Sequence, residues 1–283
     1  LKFQQHPNTY VSSVTLLTGS LQRAVEFYTS IIGLAILQKT DESATFTADG
    51  SHPILTVKLQ KYILPKEPRR TGLYHFAILL PSRKELSAFL HHLLGSGYPI
   101  QGASDHLVSE AIYFADPDGN GIEVYADRSD EKWNWTNGQV EMATDPLQAE
   151  NLLAESSADD WRGIPAGTVM GHIHLHVSDL AQAETFYTEG LGFEVVTKYG
   201  NQALFLSTGG YHHHIGLNTW NGTSAPAPSE NSVRMASYSI VYPSGEERRK
   251  AAERLEKLGT ETIFKDGALI TADPSGNWIH LLV

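Results

Sequence analysis

The chain has 283 residues, 41% hydrophobic and 19% charged, which as a length prior suggests about two domains with an extensive core. Twenty-one Lys and Arg against 32 Asp and Glu give a formal net charge of −11, which argues against nucleic acid or an anionic membrane surface as a partner. The absence of cysteine excludes disulfides, thiolate nucleophiles and Cys-ligated metal clusters; it fits a reducing cytoplasm, where the protein is expected.

No run of about twenty apolar residues marks a membrane span. Leu1-Lys2-Phe3-Gln4 is neither a Met start nor signal-like, and reads as a trimmed terminus. Along the chain, Val14–Leu17 reads as a strand, Leu21 to Tyr28 as a helix and Ala44–Ala48 as an alternating strand. A second unit opens on His75-Phe-Ala-Ile-Leu-Leu80. It continues with Leu86, Phe89, Leu90 and Leu93 at helical spacing behind Ser82 as a cap, and closes on Gly121-Ile-Glu-Val-Tyr125 after an Asp116-Pro-Asp-Gly turn. Residues 127–168, with Trp133, Trp135 and Pro146, read as a linker with a short helix near 146–155. The third unit opens on Ile173-His-Leu-His176 and includes Ala203–Ser207. Residues 221–232 read as a surface loop, and the fourth unit carries a helix at Ala251, Leu255 and Leu258.

These units repeat. Val14 to Leu34 matches Ile173 to Phe193 at an offset of 159, His75 to Ser82 matches Ser237 to Ser244 at 162, and Asp116 to Asn120 matches Asp273 to Asn277 at 157. Residues 1–126 and 169–283 are therefore duplicate halves. Each splits again, giving four βαβββ modules at about 8–60, 72–126, 169–220 and 233–283. The fold class is α+β.

This pattern resembles the vicinal oxygen chelate superfamily of glyoxalase I, bleomycin-resistance proteins and type I extradiol dioxygenases, and within it the Bacillus-type catechol 2,3-dioxygenases. The resemblance implies two cupped, incomplete barrels, each made of two modules, with a divalent metal held by residues of the first and last strands. At those places module 1 offers Ser13, module 2 His75 and Glu123, module 3 His172, and module 4 Ser237 and His280. His75, His172 and Glu123 form a two-histidine, one-carboxylate set that suits iron(II) with open positions; manganese or another divalent metal is an alternative occupant. The inventory implies that modules 2 and 3 share the metal cup, and that modules 1 and 4 share a cup without metal in which His280 is structural.

The extradiol signature is matched by His106, Ile112-Tyr113, Asp116-Pro117-Asp118-Gly119 and Glu123. By the same resemblance His213, in the run His212-His213-His214, is the acid–base residue, with His106 and Tyr113 contacting substrate oxygens. If the register slips by one residue, His212 or His214 takes that role. The implied activity is iron(II)-dependent extradiol cleavage of catechol or a substituted catechol to a muconic semialdehyde, with dioxygen as co-substrate. The competing readings are a glyoxalase-like isomerase or lyase, which usually needs a second carboxylate ligand, and a non-enzymatic small-molecule binder. A homo-oligomer is compatible with the sequence but not required by it. His174 and His176 continue the His172 face, so one of them is expected just outside the ligand set. Trp133 and Trp135 either cover the cup or pack the linker.

Overall fold

A computed structural model describes residues 1–283. Module 1 comprises β1 (Tyr10–Thr18), α1 (Leu21–Ser30), β2 (Ala35–Lys39), β3 (Ser43–Thr47) and β4 (Pro53–Leu59). Module 2 comprises β5 (Gly72–Leu79), α2 (Arg83–Ser96), β6 (Gly102–Asp105), β7 (Ser109–Ala115) and β8 (Gly121–Asp127). The connection carries a two-stranded ribbon, β9 (Trp135–Thr136) and β10 (Gln139–Val140), then β11 (Asp145–Pro146) and α3 (Ala149–Leu153). Module 3 comprises β12 (Val169–His176), α4 (Leu180–Thr185), β13 (Glu194–Tyr199), β14 (Ala203–Ser207) and β15 (Ile215–Asn218). Module 4 comprises β16 (Met235–Val241), α5 (Gly245–Lys257), β17 (Ile263–Lys265), β18 (Ala268–Ala272) and β19 (Trp278–Leu282). No helix is long and apolar enough to cross a membrane.

The module helices start where a side chain satisfies a free amide. The Ser20 side chain accepts from Arg23 N, Asp179 from Gln182 N and Ser244 from Glu247 N. Ser82 stands at the expected N-cap of α2, but its hydroxyl donates to the Glu85 carboxylate instead of accepting an amide. That helix ends at Gly97, whose φ of 69° is a conformation that favours glycine. Leu86, Phe89 and Leu93 are buried on one face of α2, as their spacing requires.

The strands form two curled sheets. One has the order β11-β6-β7-β8-β5-β12-β15-β14-β13 and the other β17-β18-β19-β16-β1-β4-β3-β2. Within every module the first and last strands are parallel neighbours, and the modules join through antiparallel first strands, β5 to β12 and β1 to β16. Modules 2 and 3 thus build one cup and modules 1 and 4 the other, so each cup takes one module from each sequence half. Both joints carry two register irregularities, between Met170/His172 and His174/Leu175 in one and between Val11/Ser13 and Thr15/Leu16 in the other. A single apolar cluster of 49 buried residues includes members of α1, α2, α4 and α5, so the two sheets share one core.

The Asp-Pro-x-Gly-Asn turns link the sheets. Asp116 accepts from Asp118 N, Asn120 N, the Asn120 side chain and, at 2.8 Å, the hydroxyl of Tyr28 in module 1. Asp273 accepts the matching set from Ser275 N, Asn277 N, the Asn277 side chain and, at 2.9 Å, the hydroxyl of Tyr187 in module 3. Each buried carboxylate therefore ties its turn to the helical segment of the module preceding it in the chain.

Two segments are more ordered than their sequences suggest. Residues 127–168 place β11 antiparallel beside β6 at the sheet edge, and Arg83 reaches from α2 to Asn151 and Glu155. Residues 221–232 form no helix, but they seat the connection between modules 1 and 2. Leu64 N donates to Asn231 O, the Asn221 side chain to Arg70 O, and Ser229 to the Glu67 carboxylate.

Candidate metal centre and its cavity

His75 lies on β5, Glu123 on the adjacent β8 and His172 on β12, across the joint between modules 2 and 3. Gly121 stands opposite His75, and a Cβ there would run into the Tyr74 carbonyl; glycine is what allows β8 to close against β5 at this level. Ligand atoms of His75, Glu123 and His172 all lie within 4.8 Å of one another, and all three residues are buried.

The two imidazoles converge on one oxygen. His172 Nε2 is 3.1 Å and His75 Nε2 3.0 Å from Glu123 Oε2. The His75 nitrogen is out of line for a hydrogen bond and has no other partner, and His172 Nδ1 is also unpartnered. Burial opposes the Glu123 charge, but His172 and His75 outweigh it and hold the carboxyl well below its usual range. Burial pushes His172 down to about 4 in spite of the carboxylate. A buried carboxylate is costly without a counter-charge, and burial keeps His172 from supplying one; a divalent cation bound by all three residues would supply it. The residues fit a two-histidine, one-carboxylate metal ion.

Around this set lies a cavity of about 1570 Å³, lined among others by Tyr113, His106 and His213. The His106 and Tyr113 side chains bond each other, Nε2 to hydroxyl, at 2.6 Å. His106 Nδ1 is 2.6 Å from the Ala143 carbonyl, which can only accept, so that nitrogen carries the proton. With its proton on Nδ1, His106 accepts at Nε2 from the Tyr113 hydroxyl, leaving the Tyr113 oxygen free to accept from a ligand. Burial, then the charge of Glu123, pushes the Tyr113 hydroxyl well up, so it stays protonated.

His213 is 8% exposed, and its ring centre is 4.1 Å from that of His172. His212 does not turn to the opposite side, as strict alternation would require. Residues 211–214 precede β15 and are not extended strand, and His212 Nδ1 lies 2.8 Å from His213 Nδ1. His212 Nε2 lies 2.8 Å from Asp127 Oδ1. Asp127 Oδ1 accepts from His212 Nε2–H; with the proton on that nitrogen, His212 Nδ1 accepts from His213 Nδ1–H, which leaves His213 Nε2 as its basic nitrogen. His214 turns away, with Nε2 3.2 Å from the Phe3 carbonyl.

His174 packs edge-on against His75 at 5.1 Å and takes a hydrogen bond from the Asn218 amide at 2.9 Å, while His176 Nδ1 donates to Asn218 Oδ1 at 2.7 Å. Trp133 packs on Tyr211 and His212 and donates to the Val108 carbonyl, while Trp135 is partly exposed in the ribbon; neither lines the cavity. Sequence reasoning missed Asp127 and the Ala143 carbonyl. Asp127 ends an apolar strand as a polar stop would, and a main-chain carbonyl leaves no sequence signal.

The counterpart places in the other cup hold Ser13, Ser237 and His280. There Ser13 faces Ser239 across the joint, and no matching cluster of ligand groups forms.

Comparison with known proteins agrees with this architecture. The model of the glyoxalase/bleomycin resistance protein/dioxygenase superfamily matches residues 10–124 and 169–281. The catechol-2,3-dioxygenase of Bacillus subtilis (strain 168) is 44% identical over 283 residues, 98% of this chain and 99% of that protein. Two solved structures share the fold at low identity. One, from Bacillus subtilis subsp. subtilis str. 168, has a TM-score of 0.68 at 14% identity over 96% of this chain and 84% of that one. The other, glyoxalase I from Zea mays, has a TM-score of 0.58 at 17% identity over 96% and 92%. With both repeats matched and a near full-length relative, the chain belongs to the glyoxalase/bleomycin resistance protein/dioxygenase superfamily.

Proposed function

We propose that this protein is an iron(II)-dependent extradiol dioxygenase that cleaves catechol or a substituted catechol beside its diol, giving a muconic semialdehyde. The observation that carries the reading is the convergence of His75 and His172 on Glu123 inside a cavity also lined by His213 and the His106–Tyr113 pair. The 44% identity to a catechol-2,3-dioxygenase supports it. His75, His172 and Glu123 would hold the metal. Bound there, iron(II) would supply the Lewis acidity that acidifies a diol hydroxyl and the redox chemistry that activates dioxygen.

The protein supplies orientation and proton transfer. His213, with Nε2 as its basic nitrogen, takes a proton from a diol hydroxyl and returns it to the oxygen that departs as the ring opens. The Tyr113 oxygen accepts from the other hydroxyl while its own proton is committed to His106. Phe205, edge-on to His213 at 5.0 Å, adds apolar surface that keeps water from the reacting face. Both atoms of dioxygen end in the product, so no external reductant is required. An isomerase reading would call for a second carboxylate in the ligand set, which contains one.

Reconstitution with iron(II) without oxygen, then catechol in air, is expected to give a yellow product. His75→Ala, His172→Ala and Glu123→Ala should each abolish both bound metal and product. A wild-type protein that holds one iron per chain and leaves every tested diol intact would overturn the reading.

A further inference from the structure

The cavity exceeds the roughly 300–1,000 Å³ usual for a small-ligand pocket, so it extends well past the space one dihydroxybenzene ring needs at the metal centre. The extension runs to the connection between modules 1 and 2, and Lys66 lies on that wall. The Lys66 ammonium donates to the carbonyls of Leu73 at 3.3 Å and Gly119 at 3.1 Å. These are its only protein acceptors, which leaves one of three N–H donors free, and it has no carboxylate partner.

Leu73 precedes His75 by two residues on β5, or about 7 Å along the strand. Gly119 lies just before β8, whose Gly121 is paired with His75. The ammonium is therefore anchored about one ring length from the ligand set. The acid whose charge acts on Lys66 is Asp116, whose two oxygens already accept from three donors of its turn and from Tyr28. Of the other acids on this wall, Glu67 is engaged with Arg70 and Ser229 and Asp118 with Arg23 and Thr18, and only Glu230 has a carboxylate without a protein partner. Arg69 and Arg234 line the same end and, like Lys66, pair with no carboxylate. Lys66 is an exposed residue on the cavity wall, so its free N–H is open to a ligand there. In a chain of net charge −11, three cations without a carboxylate partner against one unpaired acid, Glu230, give this end of the cavity a local excess of positive charge.

We infer that Lys66 forms an anion subsite selecting catechols that carry a short carboxylate side chain, with the diol at the metal centre and the carboxylate at the ammonium. This rests on the ring-cleavage reading for the diol end only. Its test compares 3,4-dihydroxyphenylacetate with its uncharged methyl ester. Two readouts are used: binding without oxygen, followed by quenching of the fluorescence of Trp220 and Trp278 on the cavity wall, and kcat/KM for ring opening in air. The wild type should prefer the acid, and the preference should weaken as salt rises. Lys66→Met should lower the acid-to-ester ratio by about ten- to a hundredfold, the range of one charge-assisted hydrogen bond, and Lys66→Arg should restore most of it. No acid preference in the wild type, or equal losses for acid and ester in Lys66→Met, would overturn the subsite even with catechol still cleaved. Lys66-dependent acid binding with no ring opening would support the subsite and overturn the activity instead.

Discussion

The two cups are the same backbone put to different uses. Ser13, Thr15 and Ser237 at the joint of modules 1 and 4 correspond to His172, His174 and His75 at the joint of modules 2 and 3, and the register irregularities fall at matching positions. Strand pairing, bulge placement and the Asp-Pro-x-Gly-Asn turn are common to both, so none of them specifies chemistry. What differs is the side chains at a few inward places. Imidazoles and a carboxylate converge in one cup, and hydroxyl side chains with the partly exposed His280 occupy the other. Fold and function are written at different positions of the same repeat.

The largest expected effect tests the shared part. Asp116→Ala and Asp273→Ala each strip four donors of their acceptor and should each cost about 3 kcal/mol or more in urea unfolding. Tyr187 keeps a second partner, the Tyr238 hydroxyl at 2.8 Å, so Asp273→Ala should be the milder. A larger loss at Asp273 would break the equivalence of the two turns.

The next effect separates positioning from fold. Asp127→Asn places an amide donor against His212 Nε2, which reverses the proton order along His212 and His213 and leaves His213 Nε2 protonated. Turnover should fall about ten- to a hundredfold with metal content unchanged. Loss of metal in parallel would mean that Asp127 supports the cup and not the base.

The smallest effect concerns pH. Burial pushes His172, His174, His176, His213 and His214 down, and all five belong to the metal cup. His214, whose ring turns to the Phe3 carbonyl, is pushed down to about 3, mainly by burial. An unfolded histidine takes up its proton near pH 6.5, so between there and pH 3 the unfolded chain binds more protons and stability falls as pH falls. From pH 6.5 to pH 5 His214 alone accounts for about 1.6 kcal/mol. Metal-free protein should lose stability over that window, and His214→Gln should have a shallower slope; an unchanged slope would show that His214 titrates alike in both states.

Much of this was legible in the sequence because duplication places unlike residues in like positions. Val14 to Leu34 set beside Ile173 to Phe193 exposes His172 where module 1 has Ser13, and the alternation of Gly-Ile-Glu-Val-Tyr marks Glu123 as an anomalous inward charge. His213 could be singled out only with its neighbours as rivals, because residues 211–214 lie outside the regular strand and period-two reasoning fails there. Residues 127–168 read as a linker because two-residue strands such as β11 show no alternation. Their contribution to His106 is a carbonyl, which any residue could provide. Lys66 has no repeat partner or periodic context, and its place is set by how the connection folds back over β5 and β8.

The nesting of the cups also has a consequence for the order of assembly. Modules 2 and 3 are consecutive, so the metal cup can close once the chain has been made through β15. β1 must wait for β16 at the far end of the polypeptide, with Val14 opposite Tyr238. Contacts so distant along the chain form slowly. During synthesis the exposed edge of module 1 therefore stays unpaired longest, and the cup without a metal set is the last to form.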